Sequence, residues 1–304
     1  MPAGSRREGT RAGALLPALF VVLWSTGFIA ARYGLPYAPP LKFLLLRFTL
    51  VALLMGAVAL ASGAKWPRDP RQIAHTAIAA WLVHGLYLGG VFASIAGGMP
   101  AGTSAMLVGL QPILTVFLAR VWLSERVVAR QWIGLLLGLA GVYLVVRHKL
   151  GQGADGATLV PIIVALVGIS VGTLYQKKHA SRVDLRAGAV IQFTACALVY
   201  APVVALTEPQ PIRFTGAFLF ALGWSVIVLS VGAISLLYWL LRRGAAADVA
   251  RLFYLVPPVT ALMAYLLFGE QLGVVAFAGM GLIALGVALA RRGSDAGRIV
   301  REAP

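Results

Sequence analysis

LQPILTVFLARVWLSE (110–125) and LVPPVTALMAYLLFGE (255–270) are two versions of one stretch. Pro112 and Pro257, Thr115 and Thr260, and Glu125 and Glu270 each lie 145 residues apart. The register runs far beyond that stretch: Ser25 falls on Ser170, Gly27 on Gly172, Phe48 on Phe193, Ala105 on Ala250, Gly134 on Gly279, Gly141 on Gly286 and Arg147 on Arg292. An apolar alphabet produces chance identities, so the weight rests on the unbroken offset. The chain reads as two fused copies of one unit.

The composition says where such a unit lives. Of 304 residues, 60% are hydrophobic and 12% charged, against about 45–50% and about 25% in soluble domains. The apolar residues fall in ten runs, 13–31, 43–61, 73–93, 101–123, 132–146, 159–175, 187–205, 218–236, 249–268 and 274–290. Crossing a hydrocarbon layer as a helix takes roughly 17–25 residues. Short links rich in Gly, Pro and charge, such as KWPRDPR (65–71) and TEPQP (207–211), separate the runs. The expectation is an all-α polytopic membrane protein. The first run follows Arg6, Arg7 and Arg11 but is long for a signal peptide and lacks a clear A-x-A site, so it reads as a retained span. Cys196 stands alone, which leaves no disulfide framework and no metal spacing; no metal, cofactor or catalytic group is expected.

Each copy holds five runs, an odd number, so the second copy enters the membrane from the opposite side. The expected architecture is ten transmembrane helices as two inverted five-helix repeats, 13–147 and 158–292. They are joined by a loop at 148–157 and flanked by tails 1–12 and 293–304. A formal charge of +16 would suggest nucleic acid in a soluble protein. Here most of the 26 basic residues, among them Arg6, Arg7, Arg11, Lys65, Arg68, Arg71, Arg126, Arg130, Lys177, Lys178, Arg242 and Arg243, fall on one side of a ten-crossing layout. By the positive-inside rule that side is the cytoplasm, which places both termini there and no nucleic acid among the partners. Inverted repeats are the pattern of secondary transporters that alternate access around a midplane site.

The run AGTSAMLVGLQPILTVFLARVWLSERVVARQWIGLLLGLAGVYLV, its second version ending LFGEQLGVVAFAGMGLIALGVAL, and LWSTGFIAARYG with LLLRF near the start resemble the EamA domain of the drug/metabolite transporter superfamily. The resemblance covers about residues 14–292. It implies a ten-helix carrier of the inner (plasma) membrane, mostly exporters of amino acids and other small metabolites. It also implies a central cavity lined by the first, third, fourth, sixth, eighth and ninth helices. The partners expected are a small-molecule substrate and the lipid bilayer, with monomer or homodimer left open. The rival classes are a channel and an intramembrane enzyme; an enzyme would need a midplane acid pair, a metal cluster or a Ser/His dyad. GISVG (168–172) matches a nucleophile motif in letters only, because it lies inside an apolar run rather than on a strand-to-helix turn.

Candidate site residues follow from polarity at depth. His84 shares a helical face with Tyr87, Val91 and Ser94 by i, i+3, i+7, i+10 spacing. Polar groups at this depth face the interior or a cavity. Gln111 precedes Pro112 and carries both a donor and an acceptor. Trp24 and Trp224 offer aromatic walls, the resemblance implies Tyr254 of the ninth helix as a further cavity residue, and Pro112, Pro257 and Pro258 are hinge candidates. Arg47, in LLLRF, has two readings: a cation attracting a substrate carboxylate or, as the leading expectation, an arginine tying helix ends through carbonyls. Glu125 and Glu270 end their helices against the dipole, so a compensating basic partner is expected. No carboxylate lies deep in a run, which argues against proton coupling through a midplane acid.

Overall fold

The computed structural model describes residues 5–123, 129–150, 156–181, 183–243, 252–270 and 273–299. Among them every regular element is helical. The elements are α1 (Ser5–Gly34), α2 (Pro40–Ala61), α3 (Pro70–Ala80 continuing through a π-helical stretch, Trp81–Leu86, into Tyr87–Ala96), α4 (Ala101–Val108 and Gln111–Leu123), α5 (Ala129–Leu150), α6 (Gly156–His179), α7 (Leu185–Thr207), α8 (Gly216–Gly223, a π-helical Trp224–Ala233, then Ile234–Arg243), α9 (Val256–Phe268) and α10 (Val274–Ile299).

Seven of these are long and apolar enough to cross a membrane: Leu15–Tyr37, Pro40–Ala61, Pro70–Ala96, Ala101–Trp122, Thr158–His179, Leu185–Thr207 and Gly216–Leu236. Shorter apolar helices, Trp132–Leu144, Val256–Phe268 and Phe277–Gly286, complete the set among the described residues. The outer surface is apolar, with Leu60, Leu206 and Val274 mostly exposed. In water this would be an aggregation surface; facing acyl chains it costs nothing. The chain is a multi-pass membrane protein.

The helix starts are written locally. Asp69 and Asp184 each accept a bond from the backbone N–H two residues on (Arg71 and Arg186, both 2.9 Å), and Thr215 Oγ1 accepts from Phe218 N–H. Such caps satisfy amides that have no partner within the helix. Two starts are capped from a distance. Glu208, after α7, receives the N–H groups of Leu41 and Lys42 at 3.0 and 2.7 Å. Glu270, just beyond α9, receives those of Ala101 and Gly102 at 3.1 and 3.4 Å, with Arg32 Nε 3.6 Å from its carboxylate. The partner expected for Glu270 is therefore the basic end of α1 together with the N-terminus of α4. Gly269 closes α9 at φ +64, a conformation that favours glycine. Glu125 lies outside the described residues.

Helices pair α2 with α7, α3 with α6, α4 with α9 and α5 with α10, while α1 packs on α8 and α9 and α4 packs on α6. Small residues set the closest crossings. A Cβ on Gly141 would lie 2.6 Å from Gly279 O, and one on Gly286 would run into Gly134 O, so α5 and α10 touch backbone to backbone. An aromatic core joins α2, α3 and α8, where Phe43 packs on Phe92 at 5.3 Å and edge-on to Phe218 at 5.6 Å.

Candidate functional site

A cavity of about 270 Å³ opens among α1, α3, α4, α6 and α8 and the turn before α9, with one residue each from α2 and α7. The set holds five of the six helices that the family resemblance implies, with Phe253 before α9 in place of the ninth helix itself, plus α2 and α7. Trp24, His84, Tyr87 and Gln111 all line it, so the structure brings together four of the six cavity candidates.

The two remaining candidates stand apart. Trp224 is not among the lining residues; its indole N–H donates to Thr26 Oγ1 at 2.9 Å and its ring lies against Phe220, which ties α8 to α1. The side chain of Tyr254 lies outside what the structure describes, but its neighbour Phe253 lines the cavity. Pro112 follows the break in α4 at Gly109 and Leu110. Pro257 and Pro258 occupy the first turn of α9, directly after a 3-10 turn at Phe253–Leu255, rather than the middle of a helix. A proline in a first turn removes an N–H that would have lacked a partner anyway.

The polar side of the cavity is held in place from neighbouring helices. His84 Nε2 lies 3.1 Å from Gln192 Oε1 on α7, and Phe193 stacks on the imidazole at a centroid distance of 4.8 Å. The π-helical stretch carrying His84 is stabilised by Tyr200, whose hydroxyl donates to the Gly85 carbonyl at 2.8 Å. An extra residue per turn leaves backbone groups without their usual partners, and such stretches often mark functional sites. Arg47 is buried, donates from one guanidinium nitrogen to Ser230 Oγ at 3.2 Å, and borders the cavity. It thus reaches a side chain in the interior rather than the carbonyls of a helix end.

The apolar side is aromatic. Trp24, Phe20 and Phe253 form a cluster with centroids 5.1–5.4 Å apart, and Phe28, Phe92 and Phe193 continue the wall. Sequence reasoning did not select Phe28, Phe193, Phe253, Thr173 or Ser230 as site residues. Phe28 and Phe253 have only apolar immediate neighbours, and Phe193, between Gln192 and Thr194, was passed over although its neighbours are polar. The repeat offset carries the selected Trp24 onto Ile169, which lines the cavity one helical turn before Thr173, so the offset was the signal that could have found that face. Among the described residues the lining contains no Asp or Glu, and no group of His, Cys, Asp and Glu could hold a metal ion. A concave, mostly apolar chamber with a few converging polar groups suits a small organic ligand.

The chain is similar to known transporters. A transporter of Bacillus subtilis (strain 168), named "Uncharacterized transporter YvbV", is 28% identical over 300 residues, covering 93% of this chain and 92% of its own. A "Probable amino-acid metabolite efflux pump" of Salmonella typhimurium is 27% identical over 299 residues, with 93% and 94% covered. A solved crystal structure superposes with a TM-score of 0.64 at 22% identity, covering 95% of this chain and 99% of that one, which shows the shared fold. The sequence pattern of the EamA-like transporter family matches twice, over residues 11–147 and 157–292. With both halves of the chain matched, the protein belongs to the EamA-like transporter family.

Proposed function

We propose that the protein is a secondary transporter exporting a small metabolite, an amino acid or a related compound, across the inner membrane. It works by alternating access between two inverted repeats, 13–147 and 158–292, with both termini in the cytoplasm. The observation that carries this reading is the exchange symmetry of the helix pairings. If each helix is swapped with the one five later, α2·α7, α4·α9 and α5·α10 map onto themselves, while α1·α8 and α1·α9 become α6·α3 and α6·α4. The glycine crossings obey the same swap, since Gly141 on Gly279 becomes Gly286 on Gly134. Two five-helix units that pack on one another reciprocally can trade conformations, which is how inverted repeats open a central site to either side in turn. The name of the amino-acid efflux pump supports the substrate class.

Protein reconstituted in liposomes tests the proposal. Preloaded unlabelled amino acid should drive saturable counterflow of the labelled one without a proton gradient, because no carboxylate lines the cavity among the described residues. His84→Gln should leave the pH dependence unchanged. Uptake that rises linearly with concentration would indicate a channel. Accumulation driven by an imposed pH gradient and abolished in His84→Gln would make His84 the coupling residue. For the topology, a cysteine at Gly98 in a Cys196-free background should label from outside only.

A further inference from the structure

We propose that the cavity recognises its substrate by a carboxylate, with Arg47 as the anion-binding residue and the aromatic wall holding an apolar body. The inference rests on the transporter reading above and narrows its substrate.

Arg47 sits on α2 between Phe43, Leu44, Phe48 and Val51, all fully buried, so the helix turns this face inward. Seven residues from the helix start, a side chain this long could reach the membrane boundary had it faced lipid. It extends into the cavity instead, with 7% of its surface exposed. A guanidinium stays protonated at any pH a protein meets. It therefore brings a fixed positive charge into a region where such charges are expensive unless paired.

Its protein partners are insufficient for that charge. The polar contact is Ser230, a neutral hydroxyl whose own proton goes to the Ser225 carbonyl at 3.0 Å. Arg47 Nε has no hydrogen-bond partner. The described residues lining the cavity include no carboxylate, and the two ion pairs among the described residues, Arg32–Glu270 and Arg186–Asp184, lie elsewhere. His84, Tyr87 and Gln111 face the same space and bring no negative charge at neutral pH. An arginine offers two parallel N–H groups to a carboxylate, and Nε–H is one of them. The site is thus a buried fork with one unpartnered N–H, bordering a chamber whose described lining brings no anion.

The rest of the chamber limits what the carboxylate is attached to. Trp24, Phe28, Phe92, Phe193 and Phe253 give an apolar body somewhere to lie, and an α-ammonium would find aromatic faces rather than an acid. A cation without a carboxylate meets the unpaired charge of Arg47 and is repelled.

The test is a binding titration of purified protein in nanodiscs, using two probe series. One comprises L-phenylalanine, L-phenylalaninamide, 3-phenylpropionate and phenethylamine; the other comprises the leucine analogues of each. The acids should bind at least tenfold more tightly than the amides, a gap of about 1.4 kcal/mol, and the amines should not bind. Arg47→Gln should erase the gap, whereas Arg47→Lys should keep part of it. The acid-over-amide preference of the unmodified protein decides the matter even if Arg47→Gln does not fold. Equal binding of acid and amide, preference for the amines, or binding of no probe in either series would overturn the inference. Acid-selective binding without saturable counterflow would leave the Arg47 site standing and remove the carrier reading. Saturable counterflow indifferent to the carboxylate would do the reverse.

Discussion

Replacing Glu270 by alanine should destabilise the protein through the helix it caps rather than through the ion pair it makes. Glu270 accepts the N–H groups of Ala101 and Gly102, and both residues are buried, so water cannot replace the lost acceptor. A buried donor left without a partner costs about 1–3 kcal/mol. The favourable interaction of a carboxylate with a helix N-terminus adds about 0.3–1 kcal/mol. The ion pair is a weaker contribution: Arg32 approaches at 3.6 Å with its side chain 44% exposed, and such pairs are worth about 0–1 kcal/mol. Equilibrium unfolding in mixed micelles should therefore rank Glu270→Ala well above Arg32→Ala, with Glu270→Gln between them. The double variant should match Glu270→Ala alone to within a few tenths of a kcal/mol, because removing the carboxylate already removes the pair. A loss from Arg32→Ala as large as that from Glu270→Ala would refute the capping argument.

Three other outcomes are open to measurement. Gly141→Ala would place its Cβ against Gly279 O and 2.9 Å from Ile283, so forcing α5 from α10 should cost about 1–3 kcal/mol by the same unfolding assay; Gly281→Ala, which meets nothing within 4 Å, should be neutral or slightly stabilising. Trp224→Phe should lower stability by about 0.5–1.5 kcal/mol through loss of the bond to Thr26 while leaving transport KM unchanged, and Trp24→Ala should raise KM. The Arg186 guanidinium and backbone N–H hold the Asp184 carboxyl well below the usual carboxylate range. Its contribution is therefore present above the unfolded value of about 3.9 and is lost as pH falls below that; Asp184→Asn should flatten the acid limb of the stability profile below about pH 4.

Much of the fold was legible because hydropathy and breakers mark it directly. The run 43–61 becomes Pro40–Ala61 and 73–93 becomes Pro70–Ala96, each extended to a proline at the helix start. The site was legible where polarity stood out against an apolar background, as at His84 and Gln111. Arg47 was visible but its direction was not, since a helix that is apolar on all sides has no face from which to infer inward or outward. The π-helical stretches left no trace in the pattern either, and Gln192, the neighbour of His84, comes from another helix at no fixed spacing. Trp224 looked like a wall residue by depth alone. Its hydrogen bond to Thr26 depends on how α1 meets α8, which one helix cannot encode.

The widened turns occur in both halves of the chain, at Trp81–Leu86 in α3 and Trp224–Ala233 in α8, and a turn of this kind has the geometry of an adjustable joint. One residue more or fewer in an α-helix rotates everything beyond it by about 100°, which in a tightly packed bundle would scramble a whole face. A helix that already holds a surplus residue can give it back, or pass it a turn along, and the rod remains continuous. Side chains beyond the joint are then presented to the chamber in a new order while the membrane-facing ends stay in place. A single-codon deletion within Trp81–Leu86 is therefore a route by which such a chain could change what it carries without rebuilding its frame.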